Sequence, residues 1–404
     1  MNTAESQVDI AIFGGGVAGL WIQNRLENLG FSTVLLESNA LGGGQTLRSQ
    51  GIIHGGTKYA LKGLLTSSVD PVREMPTRWK NCLTGQGEIN LQNVKTLSDA
   101  QYLWSTGHLS SDLLSFFGSF ALTCHVQKLK KSDYPTLLQH PSYKGYVFKL
   151  DEIVLDTTSL IRTLAHPYQN KIFKMDMAKE FLINFKETLF NRNQNAISSI
   201  QIQQGEKSLK LHAKYYILTA GSGNEILSKS LSEIPLMQRR PLQMVYVIFE
   251  DPVSPLFGHC MDGGTNPRIS ITTHTTSQGK TVWYLGGELA EQGVKRTRED
   301  QIVFAQKELK TLFPWVDFSN THWNSFLIDR AEGKQIDGKR PSSFSLHTKG
   351  NVITAWPTKL ALTPKLSDEI IAFLQKETLQ PSSGDLSGFK DWQSPSFAIP
   401  AWNE

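Results

Sequence analysis

The chain has 404 residues, 39% hydrophobic and 19% charged, so we expect a large buried core and two or three domains of roughly 150 residues each. Its net charge of +4 is too small to indicate nucleic acid or a membrane surface as a partner, and no apolar run approaches the ~20 residues of a membrane-spanning helix. Cys82, Cys124 and Cys260 are too few and too widely spaced for a disulfide framework, and no secretory signal is evident, so the sequence predicts a cytoplasmic protein.

The most informative stretch lies at residues 8–37. Its first part, Val8–Phe13, is rich in β-branched and aromatic residues, as is typical of a buried parallel strand. Apolar residues at helical spacing follow, and Gly30 is placed to end that helix. Ser32–Leu36 then predicts a second strand, so the stretch is expected to form a β–α–β unit.

Three glycines and one acid in this unit predict a dinucleotide-binding turn. Gly14, Gly16 and Gly19 stand at G-x-G-x-x-G spacing between strand and helix, and Glu37 follows Gly19 by 18 positions. Gly14 allows a tight turn, Gly16 lets a pyrophosphate approach the backbone, and Gly19 lets the helix pack closely on the strand. The helix N-terminus attracts the phosphate, while Glu37 can accept hydrogen bonds from a ribose diol and would repel a 2′-phosphate.

The glycine fingerprint by itself does not choose between NAD and FAD, but three later segments favour a flavin. A flavoprotein holds a large ring system as well as a dinucleotide, often with stretches far apart in the chain. Candidate stretches are residues 42–63, residues 214–227, in which a strand ends in Thr-Ala-Gly, and residues 350–374. In the last stretch a strand and a Pro–Lys turn precede a helix, with Thr363 as the expected N-cap and Pro364 as the first helical residue.

Together these motifs resemble the flavoprotein superfamily that contains D-amino-acid oxidase, glycine oxidase, sarcosine oxidase, and the glycerol-3-phosphate and 2-hydroxyglutarate dehydrogenases. The resemblance covers nearly the whole chain and is carried by the fingerprint, "QTLRSQGIIHGGTKY", "DRAEGKQIDGKRP" and "AWPTKLALTP". It is closest to a branch of bacterial FAD-dependent oxidoreductases, rather than to a member with a known substrate. It implies that distant segments of the chain converge on one FAD molecule.

The resemblance also implies which residues lie against FAD. The segment after the second strand passes the pyrophosphate and then the ring, which places residues 48–50 near the phosphates or ribityl chain and residues 52–56 near the flavin. The expected cofactor contacts are Gly14, Gly16, Val17, Ala18, Gly19, Glu37, Ser38, Arg48, Ser49, Gln50, Gly51, Ile53, His54, Ala220, Gly221, Lys359 and Leu360.

Two features of this set have alternative explanations. Gly55 and Gly56 would be glycines because a side chain there would collide with the planar ring, or they form a glycine-rich bulge without a ligand. Lys359, with the N–H groups that start the following helix, would stabilise negative charge on the reduced flavin, or it is a surface lysine.

The expected catalytic residues are His54 and Arg330. A hydroxy acid would need a general base, for which His54 is the first candidate, although a structural role is equally open. Arg330 matches the position at which glycine-oxidase-like relatives hold the substrate carboxylate, but Ala331 replaces the usual proline. Arg240 and Arg268 are rivals, for which a salt-bridge or packing role is favoured.

Other residues on predicted strands supply weaker candidates. His259, Cys260 and His274 could line a substrate cavity, on the basis of strand placement alone. The ten histidines do not stand at metal-ligand spacing with a cysteine or an acid, so no metal site is predicted.

The predicted fold class is α/β. A Rossmann-like FAD-binding domain with a parallel sheet is interleaved with a mixed-sheet α+β substrate domain. The expected boundaries are 1–70, 151–230 and 326–376 for the FAD-binding domain, 71–150 and 231–325 for the substrate domain, and 377–404 for a C-terminal tail.

The predicted function is an FAD-dependent oxidoreductase that oxidises a small amine, amino acid or 2-hydroxy acid by hydride transfer to flavin N5. The electron acceptor is expected to be oxygen, or else a quinone or carrier protein. The sequence leaves two alternatives open, which are a flavin-binding sensor without turnover and an NAD-dependent Rossmann dehydrogenase.

Overall fold

The computed structural model describes residues 4–56, 70–107, 126–176, 182–186, 196–230, 237–262 and 266–404. Cys124 and residues 57–63, at the end of the first candidate flavin segment, lie outside these ranges.

The described chain contains both helices and strands. The helices are α1 (Val17–Asn28), α2 (Asp70–Arg73), α3 (Met75–Leu83), α4 (Thr157–Ala165), α5 (Asn224–Ser230), α6 (Glu288–Gly293), α7 (Arg298–Leu312) and α8 (Thr363–Lys376). The strands are β1 (Ala4–Phe13), β2 (Thr33–Glu37), β3 (Thr96–Ser98), β4 (Gln101–Trp104), β5 (Val126–Lys128), β6 (Val147–Leu150), β7 (Val154–Leu155), β8 (Ile172–Lys174), β9 (Leu182–Lys186), β10 (Ala196–Gln204), β11 (Lys207–Leu218), β12 (Met237–Phe249), β13 (Gly258–Cys260), β14 (Ile269–Thr275), β15 (Thr281–Gly286), β16 (Thr321–Gly333), β17 (Ser345–Lys349) and β18 (Val352–Trp356).

One sheet has a parallel centre in the order β18-β11-β1-β2-β8. The strands β17, β10 and β9 extend it in antiparallel pairing. Because β1, β2, β11 and β18 run in the same direction, the turns that follow them meet at one edge of the sheet. The chain leaves β1 through α1 towards β2, while β11 lies on the other side of β1, so a crevice is expected at that edge.

The other large sheet is mixed, in the order β16-β12-β15-β14-β13-β4-β6-β5. The β13–β4 pair is parallel and the remaining pairs are antiparallel. The predicted α/β class, with a parallel sheet and a second mixed sheet, is confirmed by this topology. The predicted division at residue 326 falls inside β16, a strand of the mixed sheet.

Helix α3 packs on the parallel-sheet side of the molecule. The ring centroids of Trp79 in α3 and Trp21 in α1 are 4.7 Å apart, and both indoles are fully buried. The Arg78 guanidinium donates two hydrogen bonds, of 2.6 and 2.8 Å, to the Asp368 carboxylate of α8. Residues 75–83 therefore share the hydrophobic core of α1 and α8.

The start of α8 differs from the expectation. Leu362 is the N-cap, and Thr363 is already helical, with Pro364 after it. The Thr363 hydroxyl donates to the Leu360 carbonyl at 2.9 Å instead of capping the helix. A short 3₁₀ turn at Leu360–Leu362 leads into the helix and moves its start by one residue.

Among the described residues, no helix is both long enough and apolar enough to cross a membrane.

A buried carboxylate joins β1 to the C-terminal segment. Asp9 is fully buried, and its oxygens accept hydrogen bonds from the backbone N–H groups of Ser32, at 2.9 Å, and Ser382, at 2.8 Å. Lys214 forms an ion pair with it at 2.6 Å. Burial disfavours the charged carboxylate, but Lys214 and the hydrogen bonds outweigh this effect and lower the pKa of Asp9 from 3.8 to about 2.

We expect Asp9→Asn to lower the free energy of unfolding at pH 7 by about 2.5 kcal/mol. The pKa of Asp9 is lower in the folded than in the unfolded state, so its contribution is complete above the unfolded value and is lost as the pH falls towards 2. The difference in the free energy of unfolding between wild type and variant, measured by urea unfolding, should therefore decrease as the pH is lowered from about 4 to 2.

Asp317→Asn is the matched control, because Asp317 also accepts a backbone N–H but is exposed. Its unfolding midpoint should equal that of the wild type. If Asp9→Asn had the same urea unfolding midpoint as the wild type at pH 7, the stabilising role of the Asp9–Lys214 ion pair would be contradicted.

Candidate functional site

A cleft of about 1170 Å³ lies at the edge where β1, β2, β11 and β18 end. It exceeds the ~300–1,000 Å³ of most small-molecule sites. Strands of the mixed sheet contribute to its lining through residues of β12, β14, β15 and β16. The cleft therefore has room for a large cofactor and a second molecule.

The turn after β1 forms one end of the cleft. Gly14 has φ +107°, and a Cβ on it would stand 2.6 Å from Ala220 Cα, so neither the conformation nor the space admits a side chain. A Cβ on Gly19 would be 2.0 Å from the Gly14 carbonyl oxygen. A Cβ on Gly16 would meet only the Thr46 hydroxyl, at 3.3 Å, and Gly16 itself lines the cleft. Gly14 and Gly19 are thus required for close backbone packing, whereas the missing side chain of Gly16 leaves space in the cleft.

Glu37 ends β2 beside this turn. Its two carboxylate oxygens accept the N–H groups of Gly15, at 2.7 Å, and Asn39, at 2.8 Å. Each oxygen has a second acceptor site, so the side chain can hold the turn and still accept ligand hydroxyls. Thr46, which sequence analysis did not identify, accepts the Val17 N–H at the start of α1 at 3.1 Å.

The ends of β11 and β18 are tied together next to Gly14. The Asn224 amide donates to the carbonyls of Leu218, at 3.2 Å, and Ala355, at 3.3 Å. The Trp356 indole donates to the Gly221 carbonyl at 3.0 Å. These bonds hold the Ala220–Gly221 turn, which lines the cleft, in place.

The turn after β18 carries a strained residue. Thr358 has φ +60°, which is unfavourable for a β-branched side chain, and it lines the cleft. Its buried hydroxyl has no hydrogen-bond partner within the described part of the chain. Lys359 is buried, lines the cleft and donates to the Ser342 carbonyl at 2.8 Å. Sequence analysis missed Thr358, although its place beside Lys359 was a signal.

Residues 48–51 cross between the two sheets. The Gln50 amide donates to the carbonyls of Ser270, at 3.2 Å, and Tyr284, at 3.0 Å, and the Tyr284 hydroxyl donates to the Arg48 carbonyl at 2.8 Å. Ser49 closes a local turn through a 2.8 Å hydrogen bond to the Thr46 carbonyl. The segment is therefore anchored on the mixed sheet while it faces the cleft.

His54 lines the cleft next to two residues that are distant in sequence. Its Nδ1 lies 3.1 Å from an oxygen of the buried Glu152, and its ring stacks on that of His259, with centroids 5.9 Å apart. One potential ligand atom from each of the three residues lies within 4.8 Å of the others. No spacing in the sequence indicated this cluster, and Glu152 was not among the expected residues.

Arg330 differs from the two rival arginines in its partners. Arg240 forms a two-pronged ion pair with the buried Glu332. Arg268 forms a similar two-pronged ion pair with Glu308. Arg330 donates from Nε to the Arg240 carbonyl at 3.2 Å, and among the described residues it meets one carboxylate, that of the exposed Glu291, at 3.3 Å. The structure therefore leaves Arg330 the most able of these three to bind an anion.

Burial, together with the nearby Arg240 and Arg340, lowers the pKa of Arg330 to about 10. Arg340 also lines the cleft. An anion bound between these guanidinium groups would relieve their mutual repulsion.

The structure brings nearly all expected site residues to this one cleft. Those that line it are Gly14, Gly16, Val17, Ala18, Glu37, Ser38, Arg48, Ser49, Gln50, Gly51, His54, Ala220, Gly221, Arg330, Lys359 and Leu360. Gly19 packs the helix on the strand, and Ile53 is fully buried in the core.

Three residues that were expected at the ligand lie outside the cleft lining. Gly55 does not line the cleft, and a Cβ on it would stand 3.1 Å from a side-chain atom of Pro76. Cys260 is buried in the core of the mixed sheet. His274 packs on Trp402, and burial lowers its pKa to about 3. Of the three residues expected on these strands, only His259 lines the cleft.

The described cysteines are unsuited to covalent attachment of a cofactor. Cys82 and Cys260 are free, fully buried and absent from the cleft lining. Burial raises the pKa of Cys82 to about 11 and raises the pKa of Cys260 as well. Neither thiol is an effective nucleophile in this state.

The C-terminal segment closes one side of the cleft. Residues 396–399, Ala401 and Glu404 line it, and Glu404 lies 3.7 Å from Arg48. Trp402 packs on Tyr284, with ring centroids 5.3 Å apart. Sequence analysis suggested that tryptophans pin this segment to the body, but it did not assign the segment to the site.

The residues present fit FAD. The cleft is long enough to run from the glycine turn at β1 to the second sheet, and Gly16 leaves backbone open to a phosphate. Glu37 has acceptor capacity for a ribose, and the Thr358 hydroxyl is a buried polar group without a protein partner in the described ranges.

Comparison with known proteins agrees with this fit. The family model described as "DAO: FAD dependent oxidoreductase" matches residues 9–165. The "Probable FAD-dependent oxidoreductase" of Pseudomonas aeruginosa is 41% identical over 396 residues, which cover 98% of this chain and 97% of that protein. Its crystal structure superposes with a TM-score of 0.82, covering 100% of this chain and 98% of the other.

More distant structures share the fold. Glycine oxidase from Geobacillus kaustophilus has a TM-score of 0.65 at 13% identity, with 98% of this chain and 100% of the other covered. The L-α-glycerophosphate oxidase of Mycoplasma pneumoniae, solved with FAD bound, has a TM-score of 0.65 at 14% identity, with 98% of each chain covered.

Proposed function

The chain belongs to the DAO family of FAD-dependent oxidoreductases, and from this premise we propose that it oxidises a small amine, amino acid or 2-hydroxy acid. The observation that carries the proposal is that the dinucleotide turn, His54 and Arg330 line one cleft. The chemistry that bound FAD supplies is acceptance of a hydride at N5. Because the family uses FAD, the alternative of an NAD-dependent dehydrogenase is no longer retained.

The parallel sheet would hold the dinucleotide part of FAD. Its pyrophosphate would lie against Gly16 and the N-terminus of α1, and Glu37 would accept hydrogen bonds from the ribose. At the other end, Lys359 supplies a positive charge and Thr358 an unsatisfied hydroxyl. Both would favour negative charge on the pyrimidine side of the cofactor.

The mixed sheet would hold the substrate. Arg330 offers a desolvated guanidinium to a carboxylate, and His54 lies on the same cleft as a candidate proton acceptor. Bringing the reacting carbon close to the cofactor in a fixed orientation is the main contribution expected of these residues.

An anaerobic screen of amines, amino acids and hydroxy acids for bleaching of the flavin band tests the proposal. Bleaching by one class identifies the substrate and excludes a sensor without turnover. Protein that remains colourless after FAD is added would contradict the function. Peroxide formation in air would identify oxygen as the acceptor, and its absence would favour a quinone or carrier protein.

We retain a cytoplasmic location as a prediction. Free thiols at Cys82 and Cys260 support a reducing compartment. Fractionation of the native host, followed by immunodetection, is the direct measurement.

Gly16→Ala should fold normally but bind FAD about 5- to 150-fold more weakly, because its methyl group fits the protein yet points into the cleft. The dissociation constant follows from titration of apoprotein with FAD. Gly107→Ala is the control, since a Cβ there has no atom of the described residues within 4 Å and Gly107 does not line the cleft. Equal FAD affinity in the two variants would show that Gly16 does not contact the phosphates.

Arg330→Ala should raise KM for a carboxylate substrate about 10- to 150-fold while FAD stays bound, because a charge-assisted hydrogen bond is lost. Steady-state kinetics with the substrate found in the screen measures this effect. Arg268→Ala is the control, because Arg268 pairs with Glu308 away from the cleft. An unchanged KM in Arg330→Ala would show that another group holds the carboxylate.

A further inference from the structure

A buried carboxylate lies directly behind His54. One oxygen of Glu152 is 3.1 Å from His54 Nδ1, and the other accepts the Gly55 N–H at 2.8 Å. The Glu152 side chain is 3% exposed, whereas that of His54 is 19% exposed and lines the cleft. Glu152 does not line the cleft, so it can act on a substrate only through His54.

Backbone pairing fixes this contact. Ile52 bridges Val154 in antiparallel register, with hydrogen bonds from the Ile53 N–H to the Ile153 carbonyl and from the Leu155 N–H to the Gly51 carbonyl, both 2.9 Å. In that register residue 54 stands opposite residue 152. Gly51 makes the approach possible, because a Cβ there would lie 2.1 Å from the Leu155 carbonyl oxygen.

The two contacts of Glu152 bear on the position of the imidazole proton. An ionised Glu152 only accepts hydrogen bonds, so the Gly55 N–H and His54 Nδ1 would both donate to it, and Nδ1 would carry the hydrogen. His54 Nε2 is then left with a lone pair. Among the described residues, the other titratable group that faces the ring is His259, whose Nδ1 lies 2.7 Å from the Ser270 hydroxyl.

We propose that Glu152 is a positioning residue that holds His54 with its proton on Nδ1, so that Nε2 takes the proton of a substrate hydroxyl, and that the substrate is therefore an alcohol next to an anionic group. This inference rests on the proposed function and narrows its substrate class. The anionic group is a carboxylate or a phosphate, for which Arg330 and Arg340 supply positive charge.

The proton distinguishes alcohols from amines. When an alcohol becomes a carbonyl compound, the C–H hydrogen leaves with two electrons for FAD, the O–H bond breaks, and its electron pair forms the C=O bond. The O–H proton goes to His54 Nε2, and the resulting imidazolium is stabilised by Glu152. An amine that has already entered as the neutral form yields an iminium product without losing a proton, whereas an alcohol must lose its O–H proton during hydride transfer, so the base is needed in that step only for the alcohol.

Glu152→Gln tests the positioning role with little change in volume. The Gly55 N–H needs an acceptor, so the amide oxygen must face Gly55 and the amide NH₂ must face His54. The NH₂ group would then donate to Nδ1 and move the ring proton to Nε2. Reversal of the tautomer in this way leaves the geometry intact but removes the base.

The first measurement is the tautomer itself, by long-range ¹H–¹⁵N correlation spectra of histidine-labelled protein, with His54→Gln to assign the signal. We expect the Nδ1–H form in the wild type and the Nε2–H form in Glu152→Gln. An Nε2–H form in the wild type would overturn the proposal, whether or not the variant folds.

The second measurement is anaerobic flavin reduction by matched pairs. Lactate and alanine share a skeleton and differ in the reacting group, while glycerol 3-phosphate replaces the carboxylate with a phosphate. We expect reduction by an alcohol of the panel, slowed about 10²- to 10⁴-fold in Glu152→Gln. Glu250→Gln, which alters the surface pair of Glu250 and His322 at 3.1 Å, should leave the rate unchanged.

The outcomes separate this inference from the proposed function. Reduction by amino acids, or by no alcohol of the panel, in protein that binds FAD would overturn the alcohol assignment alone. Loss of the reaction on dialysis against EDTA and its return with Zn²⁺ would also overturn it, because His54, Glu152 and His259 would then be metal ligands rather than a base and its support.

Discussion

The close contact between the turn after β1 and the end of β11 is the constraint on which the site depends. Gly14 adopts a left-handed conformation against Ala220, where a Cβ would be 2.6 Å from the Ala220 Cα. This contact lets β1 and β11 end side by side, starts α1 at the edge of the sheet, and leaves Gly16 facing the cleft. Without it the N-terminus of α1 could not be presented to a phosphate.

The two sheets contribute different chemistry to the same cleft. The parallel sheet contributes backbone groups at strand ends and one acid, Glu37, a set suited to a dinucleotide. The mixed sheet contributes side chains, of which Arg330 and His259 are the most distinctive. Gln50 joins the two halves through hydrogen bonds to β14 and β15. The parallel-sheet part of the lining is thus largely backbone, whereas the mixed-sheet part is distinguished by its side chains.

The structure differs from the sequence-based interpretation at positions where contacts with distant residues, and not the local sequence pattern, determine the conformation. Gly55 was interpreted as bordering a flat ligand, but it lies next to Pro76 and outside the cleft lining. Thr363 has the composition of an N-cap, yet a preceding 3₁₀ turn moves the start of the helix. Glu152 could not be identified from the sequence, because no pattern in the residues around it relates it to residue 54.

The dinucleotide turn and the fold class could be predicted from the amino-acid sequence, because the spacing of Gly14, Gly16 and Gly19 between a strand and a helix is local information. The packing of distant strands is what pairs Arg240 with Glu332 through two hydrogen bonds, whereas within the described ranges Arg330 faces no carboxylate in this way. It also decided that Glu152 supports His54, since a bridge between strands about 100 residues apart sets that register. Local spacing constrains the backbone conformation, whereas the partners of a charged side chain depend on which distant strands lie next to each other.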